Sequence, residues 1–291
     1  MQKYVRSELI GALGNQLFNW AVGYSIAKNN KWNHFIDKSK VSKFGFFLEE
    51  LGIQSQELPR SNKGLISLEW LDKKASRKEM QIIKKFILDF EIKGKVYNEK
   101  KFHFDKEVLS VNPNTTLRGY FQSWKYFESN IDHVKTILSN GKKLNTTYLK
   151  YLKSIESSNW VAIHVRRGDY LESWRNHGIT TEKYYKKAIS VIDSIHFTNK
   201  KIVFSDDVNL AKEVVPNANI YISSIDIPNP AVNMMLMSSA SAFIGANSTY
   251  SWWSAFQLED EVPVIFPRPW FDDRNVNTDD LLLPNWLTVG L

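Results

Sequence analysis

WVAIHVRRGDY, residues 160–170, is an apolar run that ends in charge, and its reading decides the fold. Trp160 to Val165 reads as a buried strand. Side chains alternate faces along a strand, so His164 and Arg166 share one face while Ile163 and Val165 share the other. A parallel strand in a covered sheet is normally apolar on both sides. Polar groups at its carboxyl end therefore need a partner, which an anionic ligand would supply. The planar fork of Arg166 suits a phosphate. Arg167 points elsewhere, and Asp169 offers the alternative of an arginine–aspartate pair bracing the turn after Gly168.

Outward from this strand, apolar runs alternate with helical ones. A helix is expected over Glu182–Ile195, with Thr181 as its N-cap and Tyr184, Tyr185, Ala188, Ile189 and Ile192 on one face. Strands are expected over Lys201–Ser205, Asn219–Ile222, Ser241–Gly245 and Val262–Phe266. Helices are expected over Val208–Val215, from Asn229 and Pro230 to Ser239, and over Thr249–Gln257. Five strands separated by helices imply a parallel, doubly wound α/β sheet, whose ligands sit at the carboxyl ends of its strands. The first half opens alike: a strand over Tyr4–Ile10, a glycine turn, then a helix over Asn15–Lys28. From Val41 to Val111 the pattern breaks into basic helical pieces, short strands and loops. Ser139 to Asn145, polar and containing Gly141, is the candidate linker between two α/β domains that face across a cleft.

Three further segments end strands or open helices. In FSDD, residues 204–207, Asp206 or Asp207 could accept hydrogen bonds from a ribose or a guanine edge, or simply cap a helix. In GANSTYSWW, residues 245–253, Asn247 or Ser248 can cap a helix whose N-terminus is a phosphate seat. Trp252 and Trp253 read as core. In GALGNQLF, residues 11–18, Gly11 and Gly14 allow a tight turn or a close backbone approach. Asn15 and Gln16 follow, where a substrate would meet their amides.

The 291 residues hold no cysteine, which excludes disulfides and thiolate metal sites and suits a reducing cytosol. No apolar run approaches the roughly 18 residues that span a bilayer, and the start lacks the apolar core of a signal peptide. A cytoplasmic protein is expected. The net charge is +7, with much of the excess between Lys73 and Lys101. That stretch is either a solvated helix face or a surface for anionic lipid, a phosphate-bearing acceptor or nucleic acid. It forms no known nucleic-acid module, and nucleic acid is not expected as a partner.

Together these segments resemble the α-1,2-fucosyltransferase family of inverting glycosyltransferases. LIGALGNQLF, LRGYFQSWKYF (117–127), HVRRGDY, FSDD and NPAVNMMLMSSASAFIGANSTYSWWSAF stand in that family's order along essentially the whole chain. The resemblance implies a GT-B fold of two Rossmann-like doubly wound domains, an acceptor-side domain over 1–145 and a donor domain over 146–291. It implies transfer of fucose from GDP-fucose to the 2-hydroxyl of a galactose-terminated oligosaccharide, with neither metal nor cofactor. Peripheral contact with membrane-bound glycan acceptors is compatible with it.

By that resemblance Arg166 holds the donor pyrophosphate, Arg167 of the same segment also counts as donor-binding, and His164 lies beside the nucleotide. Asp206 and Asp207 sit near guanine and ribose. Ser248, Thr249 or Ser251 lies near the β-phosphate, Asn247 counts with them as donor-binding, Asn15 is close to the transferred sugar, and Gly14 and Gln16 belong to the acceptor-side turn. Ala12 stands where the family usually has glycine, which costs little unless that position needs a positive φ. Candidates for the base are Asp169, whose arginine neighbours make it weak, Glu172 and His177. A fucosyltransferase of other regiochemistry and a transferase of another nucleotide sugar stay open, as does a basic nucleic-acid-binding protein.

Overall fold

The computed structural model describes residues 3–41, 43–57, 95–155, 159–167, 180–196, 200–273 and 275–291. Most of the lysine-rich stretch, and Gly168, Asp169, Glu172 and His177, lie outside the described residues.

Two parallel sheets organise the chain. The first comprises β1 (Tyr4–Glu8), β2 (Asn33–Asp37), β3 (Lys95–Asn98) and β4 (Thr115–Arg118), in the order β2-β1-β4-β3. Helix α1 (Leu13–Asn30) connects β1 to β2. Helices α2 (Ile131–Leu144) and α3 (Thr146–Ser154) then lead to the second sheet. There β5 (Trp160–Val165), α4 (Glu182–Ile195), β6 (Lys200–Ser205), α5 (Val208–Val214) and β7 (Ile220–Ser223) run outward on one side. Helix α6 (Pro230–Met237) carries the chain back to β8 (Ala242–Ile244) on the other side of β5. Helix α7 (Thr249–Phe256), β9 (Val264–Arg268) and β10 (Leu287–Gly290) complete the order β10-β9-β8-β5-β6-β7. The winding reverses between β5 and β8, which is the crevice where such sheets take ligands.

Alternation along β5 accounts for both layers. Val161, Ile163 and Val165 pack with Tyr184, Tyr185, Ala188 and Ile192 of α4, whereas Trp160 and Ala162 belong to the core on the other face. The helix starts follow their caps: Thr181 accepts from the Tyr184 N–H, and Asn229 from the Ala231 N–H with Pro230 as the first helical residue. No helix among the described residues is long and apolar enough to cross a membrane.

Two expectations are corrected. Residues 139–145 are not a linker: Ser139 to Leu144 form the last turns of α2, and Asn145 caps α3 by accepting from the Tyr148 N–H. Gly141 is a packing glycine, since a Cβ there would lie 2.3 Å from the Leu51 carbonyl carbon. Lys142 points inward and donates to the Ser238 carbonyl at 2.9 Å. The second sheet also has six strands rather than five, because Leu287–Gly290 pairs with β9.

The sheets share one core. Phe18 of α1 meets Trp252 of α7 with ring centroids 4.7 Å apart, and Phe127 stacks on Trp253 at 5.6 Å. Both tryptophans are fully buried, as core residues should be. Each such aromatic pair contributes about 0.5–1.5 kcal/mol beyond its buried area. This seam brings the carboxyl edges of β1 and β8 together.

Candidate active site

Arg166 follows the last residue of β5 and is 29% exposed, with Nη1 2.9 Å from Asp206 Oδ2. Asp206 stands just beyond β6, and its Oδ1 accepts from the Arg167 N–H at 2.8 Å. One carboxylate thus sets both the backbone and the guanidinium of the turn. Arg167 turns inward, donating to the carbonyls of Thr180 at 2.6 Å and Arg166 at 3.2 Å, with only 5% of its surface exposed. Its charge serves the turn. Asp207 caps α5, accepting from the Leu210 N–H at 3.1 Å.

His164 is buried one pleat back on the Arg166 face, and its Nδ1 bonds Ser251 Oγ. Ser251 Oγ also accepts from the Ala246 N–H at 3.1 Å, so one hydroxyl ties the imidazole to the turn after β8. Burial, and then the nearby Arg166 charge, lower the His164 pKa to about 4, so the ring is neutral near pH 7. The strand ends themselves are pinned from α4: Tyr185 Oη donates to the His164 carbonyl at 3.0 Å, and Tyr184 Oη to the Gly245 carbonyl at 2.6 Å.

Ser248 caps α7, accepting from the Tyr250 N–H at 3.3 Å. Buried Asn247 donates to the Trp270 carbonyl at 3.1 Å. From the first sheet, Gly14 brings α1 against the start of α7 so closely that a Cβ would lie 2.5 Å from the Thr249 carbonyl carbon. Asn15 Oδ1 accepts from Thr249 Oγ1 at 2.9 Å and from Gln122 Nε2 at 3.0 Å. Two donors on the oxygen fix the amide, leaving its NH₂ beside the open turn at Gly11. Gly11 itself has φ +71°, whereas Ala12 is extended at φ −79°, so alanine at 12 carries no strain. Gln16, expected to meet substrate, is fully buried and ties the Gly11 and Gly45 carbonyls together at 2.9 and 3.0 Å.

The structure therefore brings His164, Arg166, Asp206, Ser248, Thr249, Ser251, Gly14 and Asn15 to one locus, while Arg167, Asp207, Asn247 and Gln16 brace it. Sequence reading missed Gln122 and Glu99. Glu99 receives the N–H groups of Tyr120 at 2.7 Å and Phe121 at 2.9 Å, and so shapes the loop that carries Gln122. The available signal was GYFQS at 119–123, a motif without an evident role. Among the described residues no group of three or more His, Asp or Glu could hold a metal ion. A surface hollow beside Lys95, Asn112 and Thr115 lies at the amino ends of β3 and β4, the opposite edge from this locus.

A sequence model described as Glycosyl transferase family 11 matches residues 8–290. The chain is similar to the Escherichia coli O-antigen biosynthesis glycosyltransferase WbnK, at 28% identity covering 97% of this chain and 99% of that protein. It is equally similar to an Escherichia coli alpha-1,2-colitosyltransferase, at 28% identity and 98% coverage of both. Among solved structures it resembles the glycosyl transferase family 9 protein of Veillonella parvula, with TM-score 0.53, 8% identity, and coverage of 99% of this chain and 87% of that one. It also resembles an arginine-to-lysine variant of Arabidopsis thaliana FUT1 in complex with GDP, with TM-score 0.52, 12% identity, and coverage of 88% and 68%. Both likenesses bear on the fold, a GT-B-like pair of parallel-sheet α/β domains. Matched from Glu8 to Gly290, the chain belongs to glycosyl transferase family 11.

Proposed function

We propose that this glycosyltransferase moves L-fucose from GDP-fucose to the 2-hydroxyl of a terminal galactose, with inversion and without a metal. The observation that carries the reading is Arg166, braced by Asp206 and placed beside neutral His164 at the reversal between β5 and β8, opposite the start of α7. The acceptor hydroxyl oxygen attacks the anomeric carbon as the bond to the β-phosphate oxygen breaks; GDP leaves with the electron pair, and the hydroxyl proton passes to the departing phosphate or to solvent. Arg166 and the first turn of α7, with neutral His164 beside them, stabilise the charge that develops on the phosphate. Ser248, Thr249 and Asp206 line this donor side, and the NH₂ of Asn15 orients the sugar.

In this reading residues 146–291 hold the donor and residues 1–145 the acceptor. The α-1,2 linkage is supported by the name of the colitosyltransferase relative, and the guanine nucleotide by the GDP in the FUT1 complex. The absence of cysteine suits a cytoplasmic setting, and the +7 charge suits contact with a membrane face that presents glycan acceptors. Incubation with GDP-fucose and a galactoside panel in excess EDTA, followed by NMR of the product, tests each part. Fucose on another hydroxyl overturns the regiochemistry. Transfer only from a different nucleotide sugar overturns the donor, and loss on chelation with rescue by manganese overturns metal independence.

A further inference from the structure

A second polar cluster lies at the carboxyl edge of the first sheet, outside the locus that faces the donor. Glu8, the last residue of β1, is a buried carboxylate, 4% exposed. Arg118, the last residue of β4, donates to it from Nε to Oε1 and from Nη2 to Oε2, both at 3.0 Å. Lys40, from the loop after β2, adds Nζ to Oε1 at 2.8 Å. On the same face Arg6 donates from Nε to Thr116 Oγ1 at 3.1 Å, with Nη1 3.8 Å from Asp37. Three cations thus meet two carboxylates, leaving an excess positive charge.

A guanidinium has two edges that present paired N–H groups. Glu8 takes the Nε–Nη2 edge, and among the described residues the Nη1–Nη2 edge has no partner. The side chain is 47% exposed there, and that of Lys40 is 51% exposed. The buried carboxylate therefore orients Arg118 and leaves a fixed fork of donors turned outward. Hydroxyl groups of a neutral sugar both donate and accept, whereas an ionised carboxylate or phosphate only accepts and matches such a fork in two bonds. Tyr120, 46% exposed and two positions past Arg118, adds a ring face suited to a sugar. The chain leads from Glu8 into the Gly11 turn and from Arg118 to Gln122, which holds Asn15. The cluster thus flanks the acceptor side of the site.

We infer that Arg118, oriented by Glu8 and seconded by Lys40, binds an anionic group, a carboxylate or a phosphate, on the acceptor glycan. This rests on the transferase reading above. Its test compares three acceptors: methyl β-lactoside, the same disaccharide with glucuronate in place of glucose, and the lactoside carrying a 6-phosphate on glucose. Transfer from GDP-fucose is followed at 20 and 200 mM sodium chloride, and binding of each disaccharide to the GDP-saturated protein is measured by calorimetry.

At least one acidic disaccharide should exceed the neutral one by about tenfold in kcat/KM and in affinity, with the ratio shrinking at high salt. Which acid wins separates carboxylate from phosphate. Arg118→Met should bring the ratio near one through KM for the acidic acceptor, while GDP affinity, read as a control for folding, stays that of the parent. Arg118→Lys, which keeps the charge without the fork, should recover only part of it. Equal binding of all three disaccharides, or a preference that survives Arg118→Met, overturns the inference. A selective binding result without any transfer would overturn the fucosyltransferase reading and leave the anionic subsite standing.

Discussion

Thr249 Oγ1 donates to Asn15 Oδ1 at 2.9 Å, joining the first turn of α7 to the first turn of α1 across 234 positions of sequence. Gln122 supplies the second donor to the same oxygen, so the amide has one orientation and its NH₂ becomes the outward group.

Asn15→Asp keeps the accepting oxygen and removes the NH₂. The variant should fold and bind GDP like the parent, yet lose transfer by about a hundredfold, as a lost hydrogen bond to a charged or developing centre costs about 1.5–3 kcal/mol. Circular dichroism, GDP calorimetry and single-turnover rates check this. Full activity in the aspartate variant would remove Asn15 from the chemistry.

Arg166 and Arg167 should separate by phenotype. Arg166→Lys loses the fork and should weaken GDP binding by tenfold to a hundredfold with little change in thermal midpoint. Arg167→Lys disturbs buried bonds to the Thr180 and Arg166 carbonyls and should lower stability by about 1–3 kcal/mol. Calorimetry and denaturant unfolding of both variants decide it, and the reverse pattern would exchange their roles.

Gly14→Ala places a methyl 2.5 Å from the Thr249 carbonyl carbon and 2.6 Å from the Tyr250 nitrogen. Backbone atoms cannot rotate away, so α1 and α7 must part. Overpacking of this kind costs about 1–3 kcal/mol. The thermal midpoint should fall by several degrees, and transfer should fall further than GDP binding because Asn15 moves with α1.

The acid limb of stability should report His164. Its pKa is lowered to about 4 by burial and then by Arg166, against an ordinary value of 6.5. As the pH falls from 6.5 to 4 the unfolded chain binds the proton first, so stability present above 6.5 is progressively lost. His34, lowered to about 3 by burial, acts in the same direction. His164→Gln should unfold with a flatter dependence on pH between 7 and 5. Parallel curves for parent and variant would exclude this origin.

What could be read in advance was local. β5, α4 and the caps at Thr181, Asn229 and Ser248 follow from alternation, helical spacing and short polar residues at turns. The inward turn of Arg167 follows from the same alternation. Gly141 looked like a breaker because its reason, the Leu51–Gly52 backbone, lies far away in sequence. Strand β10 has four residues and an exposed leucine, too short for any period to show. Gln122 gains meaning only beside Asn15, and Glu8 only beside Arg118, because pairing between strands sets both meetings.

The aromatic seam has a consequence for synthesis. Phe18 and Phe127 leave the ribosome long before Trp252 and Trp253, so the first sheet must wait with its apolar flank uncovered until α7 has followed. Sequential completion, the usual recourse of two-domain chains, is closed to it. A stalled or truncated product ending before about residue 250 would present that flank to other chains, and such fragments should be bound by chaperones or aggregate rather than persist as half-enzymes.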